Sequence, residues 1–265
     1  MLVPSVIMVG ADKGGVGKTT VARALLDYLA HHSIPSRAFD TEFPTGDLVR
    51  FASATVIDIT KVADQMKVFD GTTDAGVTVL DVRAGLLSPT IQALDDALLL
   101  QDVRNGDVKL MLLHVLGPTI SSIGEIASAA ERIGGGAVHL LVKNHINDTT
   151  FFEWDADQAN SPLRSMADVT INVPQLPAIA CEAVQKVGGS FVSFASDRSG
   201  RGRILTGNVQ TWLRKVWAEF DRVRLLGLMG LAVASPAAAA TTRAPAVSAP
   251  ALAAPAAPSS SWFQG

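Results

Sequence analysis

Eight consecutive residues hold the densest chemistry in the chain: Lys13-Gly14-Gly15-Val16-Gly17-Lys18-Thr19-Thr20. Glycines at such spacing let the backbone turn tightly, so that successive N–H groups point inward at an anion. Lys18 is a cation long enough to reach the β- and γ-phosphates of a nucleotide, and the Thr19 hydroxyl is of the kind that ligates Mg²⁺. A helix opening here adds the partial positive charge of its N-terminus. The run has this meaning only where a strand enters and a helix leaves. Both are expected: residues 5–10 are an apolar run, and residues 19–31 place Val21, Ala22, Leu25, Leu26 and Leu29 on one helical face.

Carboxylates follow at the ends of further apolar runs. One ends in Asp40-Thr41-Glu42, another in Asp81-Val82-Arg83-Ala84-Gly85. A third runs into Asn144, whose amide both donates and accepts, as the edge of adenine requires, although an Asn also suits an ordinary turn.

These residues need a scaffold that gathers them. Strands are expected at 5–10, 37–40, 77–81, 109–116, 137–143 and 168–173. Helices are expected at 19–31, from Pro89 (with Ser88 as its N-cap) to about residue 99, at 119–133, at 178–186 and at 204–226. The alternation predicts an α/β fold: a doubly wound, mostly parallel sheet with helices on both faces. Ligands of such sheets lie at the carboxyl ends of the strands, where the residues above fall.

With 265 residues, 48% of them hydrophobic, the chain can bury a sizeable core. A net charge of −3 argues against a surface that coats nucleic acid all over, but leaves room for a local basic patch. The single cysteine, Cys181, rules out a disulfide within the chain, and its apolar neighbours predict a small buried residue. No window reaches the ~18 apolar residues of a membrane span, so a cytoplasmic protein is expected. Composition divides the chain into a domain at 1–231 and a tail at 232–265. The tail is rich in Ala, Pro, Ser and Thr and ends near Trp262-Phe263; it is too poor in apolar surface to order itself.

The run KGGVGKTT, preceded by Asp12 where the usual phosphate loop has its first glycine, resembles the deviant Walker A loop of the MinD/ParA family of P-loop ATPases. The resemblance implies Mg·ATP as ligand and a homodimer formed with ATP. It also implies that Lys13 reaches across the interface to the partner's nucleotide. Asp40 and Glu42 stand where the family has Asp-x-Asp: Asp40 would help hold the metal's waters and Glu42 would position the attacking water. Glu42 is one methylene longer than the family's residue, and misplacement of about 1 Å can cost ~10²-fold in rate, so slow turnover is expected. Asp81 matches the aspartate that holds Mg²⁺ through water, which makes Thr19, Asp40 and Asp81 the expected metal site. Arg83 replaces a proline, and could face a phosphate or form a surface ion pair. Asn144 and the loop Val173-Pro174-Gln175-Leu176-Pro177 resemble the family's base-binding segments. The short stretch between Glu42 and Asp81 suggests a reduced partner-binding element, as in plasmid-stability or conjugation-associated relatives.

Three readings remain open for the last helix. It covers the core; or, with Arg198, Arg201, Arg203, Arg214 and Lys215, it contacts DNA without sequence preference; or it lies on a membrane through Trp212 and Trp217. The functional expectation is a dimerising ATPase that positions or partitions a cargo through an unidentified protein partner. The rivals are a nucleotide-gated protein without hydrolysis and a metabolic P-loop enzyme such as an amidoligase or small-molecule kinase.

Overall fold

Strands buried on both faces read as continuous apolar runs, because helices cover each side of a parallel sheet. The computed structural model describes residues 3–11, 13–70, 76–116, 122–146, 150–157 and 169–231. In chain order it contains β1 (Ser5–Gly10), α1 (Lys18–His31), β2 (Ser36–Asp40), a 3₁₀ turn (Leu48–Arg50), β3 (Ala54–Val56), α2 (Val62–Phe69) and β4 (Val77–Asp81). Next come α3 (Leu87–Asp96), α4 (Leu99–Asn105), β5 (Lys109–Leu116), α5 (Ser122–Ile133), β6 (Val138–Asn144), α6 (Phe152–Asp157) and β7 (Thr170–Val173). The chain then forms α7 (Ala178–Val187), α8 (Phe191–Ser196), α9 (Arg198–Arg201), α10 (Arg203–Arg222) and α11 (Leu225–Leu228).

The strands form one seven-stranded sheet in the order β3-β2-β4-β1-β5-β6-β7, with every pairing parallel. Order reverses at β1, with β4 on one side and β5 on the other. This is the switch point at which such sheets open a ligand crevice. Alternate residues divide the strands between two cores. Ile7, Val9, Val79 and Leu113 face α1, α7, α8 and α10, while Val6, Met8, Leu80 and Leu112 face α2, α3, α4 and α5.

The structure corrects several boundaries. α3 begins at Leu87 with Leu86 as its N-cap, so Ser88 is not the cap. It ends at Asp96, and Leu98, at φ 60°, starts the separate α4. The expected helix at 204–226 is two helices, divided where Arg224 adopts φ 53° and turns Leu225, Leu226 and Met229 back into the core. The span between Glu42 and Asp81 holds the 3₁₀ turn, β3 and α2, none of which the sequence reading placed. Cys181 is exposed, contrary to expectation, because α7 points Ala180 and Val184 inward, one helical turn apart. Asp12, Asp168, the first residues of the helix expected at 119–133, and the tail at 232–265 with Trp262 and Phe263 lie outside the described residues.

Candidate functional site

The loop between β1 and α1 is shaped by two glycines at positive φ, Gly15 at 74° and Gly17 at 87°. Gly17 is the N-cap of α1, so Lys18 and Thr19 open the helix and its first N–H groups face the loop. Two contacts hold the loop in place. The Val16 side chain is buried in the core beneath α1, and the Val16 carbonyl accepts a 2.9 Å hydrogen bond from Asn144 Nδ2 at the end of β6. A Cβ added at Gly17 would lie 2.1 Å from that nitrogen, so a side chain here would displace the Asn144 amide as well as strain the backbone. Lys18 Nζ curls back to donate to the Lys13 carbonyl at 3.1 Å, which sets its ammonium over the loop. Lys13, Gly14 and Gly15 are exposed.

Register brings the carboxylates to this loop. β2 and β4 pair with Asp40 opposite Asp81, and β1 places Val9 beside Asp81. Asp40 is 2% exposed, and its two oxygens accept the backbone N–H groups of Glu42 (2.8 Å) and Leu48 (2.7 Å). It thereby staples the loop after β2 while lining the cavity above the phosphate loop. Thr41 ties the two acidic segments together: its N–H donates to the Asp81 carbonyl at 3.1 Å, and its hydroxyl accepts from the Arg83 N–H at 2.8 Å.

Asp81 is 4% exposed, and burial pushes its carboxyl up to about 7. The Thr19 hydroxyl donates to this carboxyl and opposes the shift; Asp40 adds to it, Lys18 opposes it, and Glu42 adds to it. Lys18, Thr19, Asp40, Glu42, Asp81 and Arg83 share one cavity of about 520 Å³. Asp40, Glu42 and Asp81 line this cavity together with Thr19 and Lys18, and of the three it is Asp81 whose carboxyl burial raises. Among the described residues no three His, Cys, Asp or Glu side chains are arranged to hold a metal unaided. Arg83 is exposed and makes no ion pair among the described residues.

Next to the phosphate loop lies a smaller cavity of about 70 Å³, bounded by Thr20, Asn144, Pro174 and Leu176. Of the residues expected at a base site, Asn144 and Pro174 are here. The Pro174 carbonyl accepts Trp212 Nε1–H at 2.7 Å. Gln175 is exposed and borders neither cavity, because Pro174 and Leu176 take the inward positions on either side of it.

Two residues the sequence reading missed stand out. Gln185 lines both cavities and so lies between them. Arg23, 3% exposed, borders the small cavity; its guanidinium carbon sits 3.6 Å and 4.1 Å from the ring centres of Phe51 and Phe191, and it donates to the Gly189 carbonyl at 3.3 Å. Burial lowers its pKa to about 10. An arginine within the apolar face of α1 was the available signal for it, and the Cys181, Val184, Gln185 spacing on α7 was the signal for Gln185.

α10 covers the core. Val209, Trp212, Leu213, Val216 and Phe220 are buried, and Trp217 Nε1–H donates inward to the Ala24 carbonyl at 3.2 Å. Among the described residues no helix is long and apolar enough to cross a membrane. Arg201 pairs with Asp197 at 3.3 Å and stacks on Phe194, Arg198 and Arg214 border one groove, and Arg203 and Lys215 are exposed outside it.

No family model and no curated protein sequence matches the chain. Its fold does match solved structures. The septum site-determining protein MinD of Pyrococcus horikoshii OT3, solved with Mg-ADP, superposes with a TM-score of 0.52 at 16% identity, over 85% of this chain and 98% of that one. A ParA family ATPase from Chlorobium tepidum TLS gives 0.50 at 12% identity, over 79% and 99%.

Proposed function

We propose that this chain, which has the fold of the MinD and ParA-family ATPases, binds Mg·ATP, pairs with a second copy around it and hydrolyses it slowly to reset a cargo-positioning or partition cycle. The observation that carries the reading is the convergence of Lys18, Thr19 and Asp81 with Asp40 and Glu42 in one cavity over a phosphate loop that opens α1.

The residues present fit the ligand. Gly14–Gly17 would offer backbone N–H groups to the phosphates, Lys18 would leave the Lys13 carbonyl for the β- and γ-phosphates, and Thr19, Asp40 and Asp81 would hold the metal, Asp40 through its waters. The ion, when bound, supplies charge neutralisation at the phosphates. Asp40 keeps the loop after β2 folded over the site, so that the Glu42 carboxylate can hold the attacking water. Asn144, Pro174 and Leu176 would border the base, and the Asn144 amide keeps the phosphate loop in shape. Lys13, exposed at the loop's tip, is the residue the resemblance sends to the partner's nucleotide, where it would meet charge building on the transferred phosphoryl group.

Pairing gives the nucleotide its leverage, since ATP shifts the monomer–dimer balance only by its differential affinity for the two states. Titration calorimetry with Mg·ATP tests the binding step. Wild type should bind, and Lys18→Ala, folded by circular dichroism, should lose binding by at least tenfold. Unchanged affinity in a folded Lys18→Ala protein would remove the site.

A further inference from the structure

The largest cavity described lies away from the phosphate loop. It is an open groove of about 860 Å³ between α1, α8 and α10, and the proposal above gives it no role. On α10 it is walled by Gln210, Leu213, Arg214 and Trp217, at positions i, i+3, i+4 and i+7. On α1 the wall is Asp27, Ala30 and His31, at i, i+3 and i+4. Val192 and Ala195 of α8 complete the floor, and Arg198 stands at its edge. The floor is apolar: Val192 is 40% exposed, and the Trp217 indole stacks on His31 with ring centres 4.7 Å apart.

The charges in this groove are one-sided. Asp27 is the one carboxylate among its described lining residues, and its Oδ2 is engaged by the N–H groups of Phe191 (2.8 Å) and Val192 (3.2 Å) at the start of α8. Asp197, the nearest acid in sequence to Arg198, is paired with Arg201. Arg198 and Arg214 are both exposed at the rim, and among the described residues Arg214 makes a single, long 3.4 Å hydrogen bond, to Thr211. Two ridges at helical spacing with an apolar floor between them accept a helix, whose own anchors recur at the same intervals. The span from Gln210 to Trp217 is about 10 Å, two turns of an occupant at 1.5 Å per residue.

We propose that this groove is a docking site for an amphipathic helix of a partner protein, with its apolar face on Val192 and Trp217 and its carboxylates at Arg198 and Arg214. Duplex DNA fits less well. Its backbone offers phosphates to the two arginines but nothing apolar to the floor, and Arg201, which would have extended the cationic surface, is occupied by Asp197. The groove is built of residues other than those of the nucleotide site, so this assignment stands or falls apart from the ATP reading.

The test is selection of a random 16-residue peptide library on the full-length protein, followed by fluorescence anisotropy of the enriched peptides. Enriched sequences should carry Leu, Ile, Phe or Trp at i, i+3/i+4 and i+7, with Asp or Glu beside them. Arg198→Glu/Arg214→Glu should weaken them at least tenfold, as should Val192→Lys. Arg203→Glu/Lys215→Glu, outside the groove, should leave them unchanged and serves with circular dichroism as the control for folding. Raised salt should weaken binding. Failure to enrich any peptide, enrichment of sequences without acids, or equal binding by Arg198→Glu/Arg214→Glu would overturn the proposal. So would loss of duplex-DNA retention in that variant with peptide binding intact.

Discussion

Gly17 and Asn144 are 127 positions apart in sequence yet share one space, which makes their substitution a sensitive probe of the loop geometry. Gly17→Ala puts a side chain at φ 87°, a left-handed conformation that costs an L-residue roughly 1–2 kcal/mol. Its new Cβ would also fall 2.1 Å from Asn144 Nδ2, so Asn144 must leave the Val16 carbonyl. A buried acceptor left without its donor adds about 1–3 kcal/mol, and the single variant should lose about 2–5 kcal/mol in all. Asn144→Ala breaks the same hydrogen bond and should lose about 1–3 kcal/mol. In the double variant the hydrogen bond is lost only once and the collision is gone. The two effects should therefore fall short of their sum by about 1–3 kcal/mol. Urea unfolding of wild type, both single variants and the double variant measures this coupling. Additivity within about 0.5 kcal/mol would show that the two residues do not meet as described.

Three further outcomes are expected. In EDTA, stability should fall as pH rises from about 4 to about 7 and then level off, because native Asp81, with its carboxyl at about 7, keeps a proton that the unfolded chain releases. That shift corresponds to at most about 4 kcal/mol, and urea unfolding of Asp81→Asn should lack that part of the slope; the same slope in both proteins would refute it. Glu42→Gln should retain Mg·ATP binding while losing at least tenfold in steady-state phosphate release, and turnover equal to wild type would remove Glu42 from the water-positioning role. Trp212→Phe leaves the Pro174 carbonyl without its 2.7 Å donor and should cost about 1–3 kcal/mol by thermal or urea unfolding; no loss would mean that the carbonyl finds another partner.

Much of this arrangement was legible because it rests on local rules. KGGVGKTT between an apolar run and an amphipathic segment specifies strand, phosphate loop and helix, and the apolar runs ending in Asp40 and Asp81 place those acids at strand ends. What escaped depends on partners distant in sequence. β3 is three residues long and among the described residues pairs only with β2, so no periodicity announces it. α2 is short, with Val62 and Met66 exposed, which blurs its apolar stripe. Cys181 looked buried from its neighbours, but the phase of α7 is set by which residues meet α10 and α8. Arg23 is a charge on a buried face, explained only when Phe51 and Phe191 close over it. The chemistry of the Asn144 amide suggested a base contact from the sequence, whereas its hold on the Val16 carbonyl required the fold.

The central claim, that this chain pairs around Mg·ATP, is tested most directly by multi-angle light scattering of wild type and Lys13→Ala at equal concentration, with Mg·ATP and with Mg·ADP. The account predicts a dimer for wild type with ATP and a monomer with ADP, while Lys13→Ala still binds ATP by calorimetry but remains monomeric in both. One mass for wild type in every nucleotide state, or an unimpaired ATP-bound dimer of Lys13→Ala, would contradict it.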